Sequence, residues 1–356
     1  MTNLVSLHQA PLHERLNLLL DESFHTRDDV WLAHAVQTAI NLEFATVPPY
    51  LCALWSIVDD THIAARFLRN VVQEEMLHFS LMCNLLTALG HTPAIADAGS
   101  VPNYPGHLPG DIAADVEVWL GGLEPQLLQQ FIDIEKPAYP VAFAESTQSA
   151  PFSARNKNHG GYATIGAFYD AILDCLIEVQ PQFRTERQLS GPLAPMVIHD
   201  LSGARDAIEL IKHQGEGSAF DPDVPHTENL AHYYRFLSIQ HNQEVISITH
   251  NEKGEVIPKF GGDPWPPTEV WPVAKVPAGG YRNDNVPNEV GRLLHTFDTQ
   301  YTDLLNYLQA AWEQGNQGLL VHSFEVMFKL TSIGRELMLW EREDGTRYGP
   351  NFQFLD

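Results

Sequence analysis

From residue 30 to residue 58 the chain is apolar at most positions and carries one charge, Glu43. A helix apolar on all sides lies either at the centre of a bundle or in a membrane. Gln37, Thr38, Asn41, Thr46 and the Pro48-Pro49 pair favour the bundle, because lipid-facing helices seldom carry so many polar side chains. Asp28 and Asp29 stand where a helix N-terminus favours acidic groups. A second helix is predicted over 62–89, stopped by Gly90, and the short "VDDTH" between the two makes them an antiparallel hairpin. Residues 91–110 are rich in proline and glycine and read as a surface crossover. Further helices are predicted over 162–179, 204–214 and 227–241. At Ile246 the pattern changes to a hairpin around Lys253-Gly254, followed by an extended, proline-held loop. Leu294, Phe297, Tyr301 and Leu305 then recur at helical spacing, and two last helices are expected over 286–313 and 318–343. The expected architecture is mainly α: a bundle over 1–245, a loop and hairpin over 246–285, and a helical pair over 286–356 packed on the bundle.

The 356 residues are 44% hydrophobic, enough for a large core. The net charge of -24 repels phosphate backbones and anionic lipid, so neither nucleic acid nor membrane is expected as a partner. No basic start followed by an apolar stretch marks the N-terminus for export, and the expected location is the cytoplasm. Cys52, Cys83 and Cys175 sit singly in apolar helical stretches and read as free buried thiols. No glycine-rich phosphate loop follows a strand, which leaves nucleotide-binding folds without support.

The second helix carries "VVQEEMLHFSLMCNLL", in which Glu75 and His78 are three apart and share a face. A Glu-x-x-His pair on a bundle helix is the ligand pair of carboxylate-bridged di-iron and di-manganese proteins, where single glutamates on partner helices supply the rest. Glu43 would be such a glutamate. A lone carboxylate on an apolar helix costs several kcal/mol to bury without a positive partner, and no lysine or arginine lies near it in sequence. Glu74 reads as a solvated carboxylate or one that supports the ligands from behind. Pro48 and Pro49 leave the carbonyls of Phe44 and Ala45 without their helical donors, an opening one turn beyond Glu43 that can aim its carboxylate or merely bend the helix.

The second half offers further donors. Glu209, His213 and Glu216 recur at i, i+4 and i+7, and Glu228 and His232 are four apart. Charged stripes are usually solvated faces, which is the reading for Glu209 and Glu228. Glu216 lies between Gly215 and Gly217, where a side chain can be presented at a helix end. His232 is flanked by Tyr233, Tyr234 and Phe236 and faces either core aromatics or an ion.

The blocks "AINLEFATVPPYLCALWSI", "EEMLHFSLMCNLLTALG", "YATIGAFYDAI", "HQGEG" and "HYYRF" together resemble the ferritin-like domain of the iminophenylpyruvate dimer synthase family, of violacein and indolocarbazole pigment biosynthesis. The resemblance covers roughly residues 30 to 245 and implies a ferritin-like helical bundle with a metal centre. By it, Glu43, Glu75 and His78 fall on the family's metal ligands, with Glu216 and His232 in the later blocks. Ala167 stands where the family pattern expects a glutamate, which weakens the case for a symmetric dinuclear site. The long extension of the pigment-pathway synthases is not expected here, which makes an imine-coupling synthase a weaker expectation than an oxidase or oxygenase.

The expected activity is that of a metal-dependent oxidoreductase using dioxygen or peroxide on a small amino-acid-derived substrate, an amino, imino or 2-oxo acid. Carboxylate-rich ligation favours iron, mono- or dinuclear, with manganese as the alternative. Glu43 and Glu75 would be ligands or bridges, His78 and His232 terminal nitrogen ligands, and Glu216 a labile carboxylate. Tyr50, Tyr169 and Tyr233 are the nearest aromatic candidates for support or redox roles and fit core packing equally. Loops 91–110 and 255–285 are candidates for the substrate mouth. The alternative is metal binding or iron storage without turnover, and a homo-oligomer stays open.

Overall fold

The computed structural model describes residues 27–139, 141, 162, 164–191, 196–215, 217, 230–282 and 285–355. The apolar run forms helix α1 (Asp29–Ser56), started by the Asp28 carboxylate, which accepts from the Val30 and Trp31 amides at 3.0 and 2.9 Å. It is buried along nearly its whole length, and among the described residues no helix is long and apolar enough to cross a membrane. The two prolines do not end it. Tyr104 donates its hydroxyl to the Ala45 carbonyl at 2.7 Å, replacing the donor that Pro49 lacks.

Helix α2 (Ile63–Ala88) pairs with α1, with His78 opposite Glu43 and Thr46 opposite Glu75, so the two run antiparallel. A short pair of strands, β1 (Gly106–His107) and β2 (Glu117–Val118), interrupts the crossover. It leads into helix α3 (Pro125–Ile134), which the hydrophobic pattern left unassigned. Helix α4 (Ile165–Val179) begins three residues later than expected, capped by the Thr164 hydroxyl on the Ala167 amide at 3.2 Å. Helices α5 (Leu201–Gly215) and α6 (His232–His241) complete the bundle. The predicted hairpin is present as β3 (Glu244–His250) and β4 (Val256–Gly261), antiparallel, with Gly254 at φ 77 in its turn. Helices α7 (Asn288–Gln314) and α8 (Gln317–Leu337) follow; the last is shorter than expected and closes in turns at Met338 to Trp340.

Two cores meet along α1. One joins α1 and α2 to α4, α5, α7 and α8, the other joins them to α3, α6 and the β3–β4 hairpin. At the α1–α7 contact the rings of Phe44 and Tyr301 stack at 6.2 Å, and Trp55 of α1 stacks on Phe352 of the C-terminal segment at 6.0 Å. Buried Asn84 of α2 accepts from the Trp312 indole of α7 at 3.0 Å and bonds both backbone groups it meets at Leu189 and Met196, which fixes α7 on the bundle. Cys52, Cys83 and Cys175 are free and buried, and burial pushes their thiols up.

Gly334 lets α8 approach α1. A methyl group there would sit 2.5 Å from the ring of buried Trp55. Gly334→Ala is expected to lower the melting temperature, with a cost of about 1–3 kcal/mol from overpacking, despite the better helix propensity of alanine. Thermal unfolding of the variant against the parent checks this.

Candidate metal centre

α1 turns Glu43, Thr46 and Tyr50 to one side at i, i+3 and i+7, and α2 faces them with Glu75 and His78. The first residue of α6, His232, and Glu135, the C-cap of α3, close the group. Glu43, Glu75, Glu135, His78 and His232 are all buried. His78 Nδ1 is 3.3 Å from Glu43 Oε2 and 3.8 Å from Glu75 Oε2. His232 Nδ1 is 2.8 Å from Glu75 Oε1 and 3.7 Å from Glu135 Oε1. The imidazoles lie nearly parallel, 5.5 Å apart, on either side of the Glu75 carboxylate. The result is two groups of three donors, Glu43–Glu75–His78 and Glu75–Glu135–His232, each able to hold a metal ion and sharing Glu75.

The surrounding side chains fix how these donors point. His78 Nε2 donates to Gln214 Oε1 at 2.8 Å, and His232 Nε2 to Glu74 Oε2 at 2.9 Å. Each outer nitrogen therefore carries a proton, and Nδ1 is the nitrogen offered to the centre. Arg235 grips Glu74 with two contacts of 2.9 Å, an arginine–carboxylate–histidine chain of the kind that orients metal ligands. Tyr169 donates to Glu43 Oε1 and Tyr50 to Glu135 Oε1, the latter at 2.7 Å. The Thr46 hydroxyl lies 2.7 Å from the Glu43 carbonyl and 3.1 Å from Glu75 Oε2, and its one proton serves either.

Without an ion this is a buried cluster of like charges. Burial and the neighbouring charge of Glu75 raise the Glu43 carboxyl well above its ordinary range. For Glu75 burial acts in the same sense but is outweighed by His232 and His78, which hold it well below. Burial opposes the charge on the histidines too, yet Glu43 and Glu75 push His78 up to about 10, and Glu75, Glu135 and Glu74 hold His232 well above its usual value. Without an ion, protons held by these imidazoles would supply the positive charge that the buried carboxylates require. The donor set fits an ion all the same. His232 Nδ1 is a buried nitrogen without a hydrogen-bond partner of proper geometry although a carboxylate oxygen lies 2.8 Å away, as a ligand nitrogen does. A cavity of about 20 Å³, the size of a water molecule, lies against Glu43, Glu75, His78 and Glu135 and is also lined by Gly166 of α4 and Lys212 of α5.

The structure brings Glu43, Glu75, His78 and His232 together as the sequence suggested. Glu216 and Glu228 lie outside the described residues. Glu209 and His213 are exposed, and Glu209 faces Lys212 at 3.9 Å, so neither joins the cluster. Tyr50 and Tyr169 hold carboxylates rather than only packing, whereas Tyr233 stands edge-on to Tyr234 and makes no contact with the cluster carboxylates. Loops 91–110 and 255–285 do not line the cavity; α4 and α5 do. Glu135, Gln214 and Arg235 were missed. The available signal for Glu135 was "PQLLQQFIDIE", with a proline start and Leu127, Leu128, Phe131 and Ile134 on one face, which sets a helix and leaves the glutamate at its inner end. Ala167 leaves no carboxylate on α4, which sends Tyr169 inward to Glu43 instead.

A family model described as Ferritin-like matches residues 36–241, and the chain belongs to that family. Among curated proteins it is similar to a dichlorochromopyrrolate synthase of Lentzea aerocolonigenes, 26% identical over 265 residues. That match takes in 68% of this chain, which spans about a quarter (24%) of the length of the relative. Its fold is similar to the crystal structure of a ferritin-like protein from Caulobacter vibrioides, with a TM-score of 0.59 and 22% identity over 91% of this chain and 97% of that one.

The histidine protonation makes the metal-free protein pH-sensitive. His78 binds its proton more tightly folded than unfolded, so its contribution is fully present below about 6.5 and is lost as the pH rises toward about 10. Chelator-treated protein is expected to melt at progressively lower temperature between those limits, and His78→Gln to flatten that slope. A flat profile in the parent would show that the buried imidazole is neutral.

Proposed function

We propose that the chain is a metal-dependent oxidative enzyme with two neighbouring metal sites, in which Glu43 and His78 would hold one ion, Glu135 and His232 the other, and Glu75 would serve both. The observation that supports this most is the sharing of Glu75 between two buried three-donor groups. Such carboxylate-rich sets favour iron, with manganese as the alternative. A redox-active pair of this kind, with open coordination positions, activates dioxygen or peroxide toward an organic substrate.

The chain's own residues do the rest. Gln214 and Glu74 keep Nδ1 of each histidine turned inward. Tyr169 and Tyr50 hold protons against carboxylate oxygens of Glu43 and Glu135, where they temper the negative charge and can return a proton. The apolar wall of Leu42, Ile165 and Ile211 limits water in a chamber that admits a molecule of water size. The similarity to a dichlorochromopyrrolate synthase supports a small amino-acid-derived substrate, an amino, imino or 2-oxo acid.

Elemental analysis of protein purified without chelator is expected to give about two ions per chain, none in Glu75→Ala and one in Glu135→Ala, because the first glutamate serves both groups. Equal metal content in parent and Glu75→Ala would overturn the centre. Glu74→Ala should weaken metal affinity about 10–100-fold by freeing the His232 ring. Oxygen uptake with candidate amino, imino and 2-oxo acids, abolished in Glu75→Ala, separates turnover from storage.

A further inference from the structure

Behind the metal centre, on the opposite flank of the α1–α2 pair, lies a groove of about 690 Å³, within the range of small-molecule sites. The same helix builds both. Glu43, Thr46 and Tyr50 of α1 face the metal side, while Phe44, Pro48, Leu51 and Trp55 at i, i+4, i+7 and i+11 face the groove. Its far wall is α8, from Phe324 to Arg335, with Tyr301 of α7. Phe328 stands at this wall 77% exposed, although an aromatic ring of that size gains from cover.

The charged groups lining the groove are Arg69, Arg335, Asp60 and Glu74. Arg69 is exposed and donates to the Asp60 carbonyl at 3.1 Å, and Arg335 lies 5.3 Å over the Trp271 ring. Of the two acids lining it, Glu74 is held by Arg235 and His232, which leaves Asp60 against the two arginines. In a chain of net charge -24, an apolar trough with a net positive rim is matched by an organic anion. We infer that this groove binds an amphipathic organic anion, an apolar body ending in a carboxylate or sulfonate, at a second site apart from the metal chamber. Glu74 belongs to the wall of one and supports a histidine of the other, so a bound molecule sits one side chain from His232.

The test needs neither metal nor turnover, so it can fail while the metal reading stands. The probes are 8-anilinonaphthalene-1-sulfonate, its neutral relative N-phenyl-1-naphthylamine, and decanoate as competitor. The intact chain should bind the sulfonate at one site, displaced by decanoate. Thr331→Trp should fill the trough and abolish binding, and Phe328→Ala should weaken it about tenfold. Arg69→Gln should weaken the sulfonate and leave the neutral probe unchanged. Binding unaffected by Thr331→Trp at an unchanged melting temperature would overturn the site. So would equal loss of both probes in Arg69→Gln, or sedimentation showing a dimer that Phe328→Ala dissociates, which would make a second copy the occupant. If Thr331→Trp does not fold, Phe328→Ala, at an exposed position, decides alone.

Discussion

Five ionisable groups, Glu43, Glu75, Glu135, His78 and His232, are buried within reach of one another at the seam of α1 and α2, and the rest of the bundle is arranged around keeping them paired. Three carboxylates removed from water repel one another and lose hydration, so the fold is sustainable only with cations or protons among them. The structure meets this with a ring of hydrogen-bond partners, acceptors behind the histidines and donors beside the carboxylates. Gln214, Glu74, Tyr50 and Tyr169 each come from an element outside the Glu-x-x-His motif or from its outer edge, and each fixes one ligand atom. Remove the countercharge and the helices that contribute these groups lose their reason to converge.

Helix α1 is the wall on which this depends. Its continuity through Pro48 and Pro49 is secured by a side chain far along the chain, Tyr104, whose hydroxyl takes the carbonyl the prolines orphan. The opening anticipated beyond Glu43 is therefore stoppered on one side. Pro48 instead lines the apolar groove, where a missing N–H costs nothing further. One helix thus separates a polar chamber from an apolar trough, and this is why it is apolar almost all round yet carries a carboxylate.

The added helix α7 is bound through the stack of Phe44 on Tyr301, through Phe352 of the C-terminal segment packed between Trp55 and Phe297, and through Asn84, a buried amide whose four hydrogen bonds leave it no other placement. Gly334 sets how near α8 comes, and through it the width of the groove.

Much of this was present in the linear order of residues. A long apolar helix with one glutamate, a Glu-x-x-His pair on its neighbour, and short hairpin connections determine a bundle with Glu43, Glu75 and His78 at one level, because helical periodicity alone places them. His232 was legible as an ambiguous histidine among aromatics. Glu135 was not, since a carboxylate at the end of a short helix has no periodic signature, and only the docking of α3 against α6 brings it to Glu75. Nor can sequence show that Glu74 and Arg235 serve His232, or that Tyr169 occupies the side where Ala167 seemed to leave a gap. These depend on helix phase and crossing geometry, which are settled by packing between segments a hundred or more residues apart, as Tyr169 and Glu43 are at 126. The local pattern chose the elements; their mutual burial chose which acids would share a space.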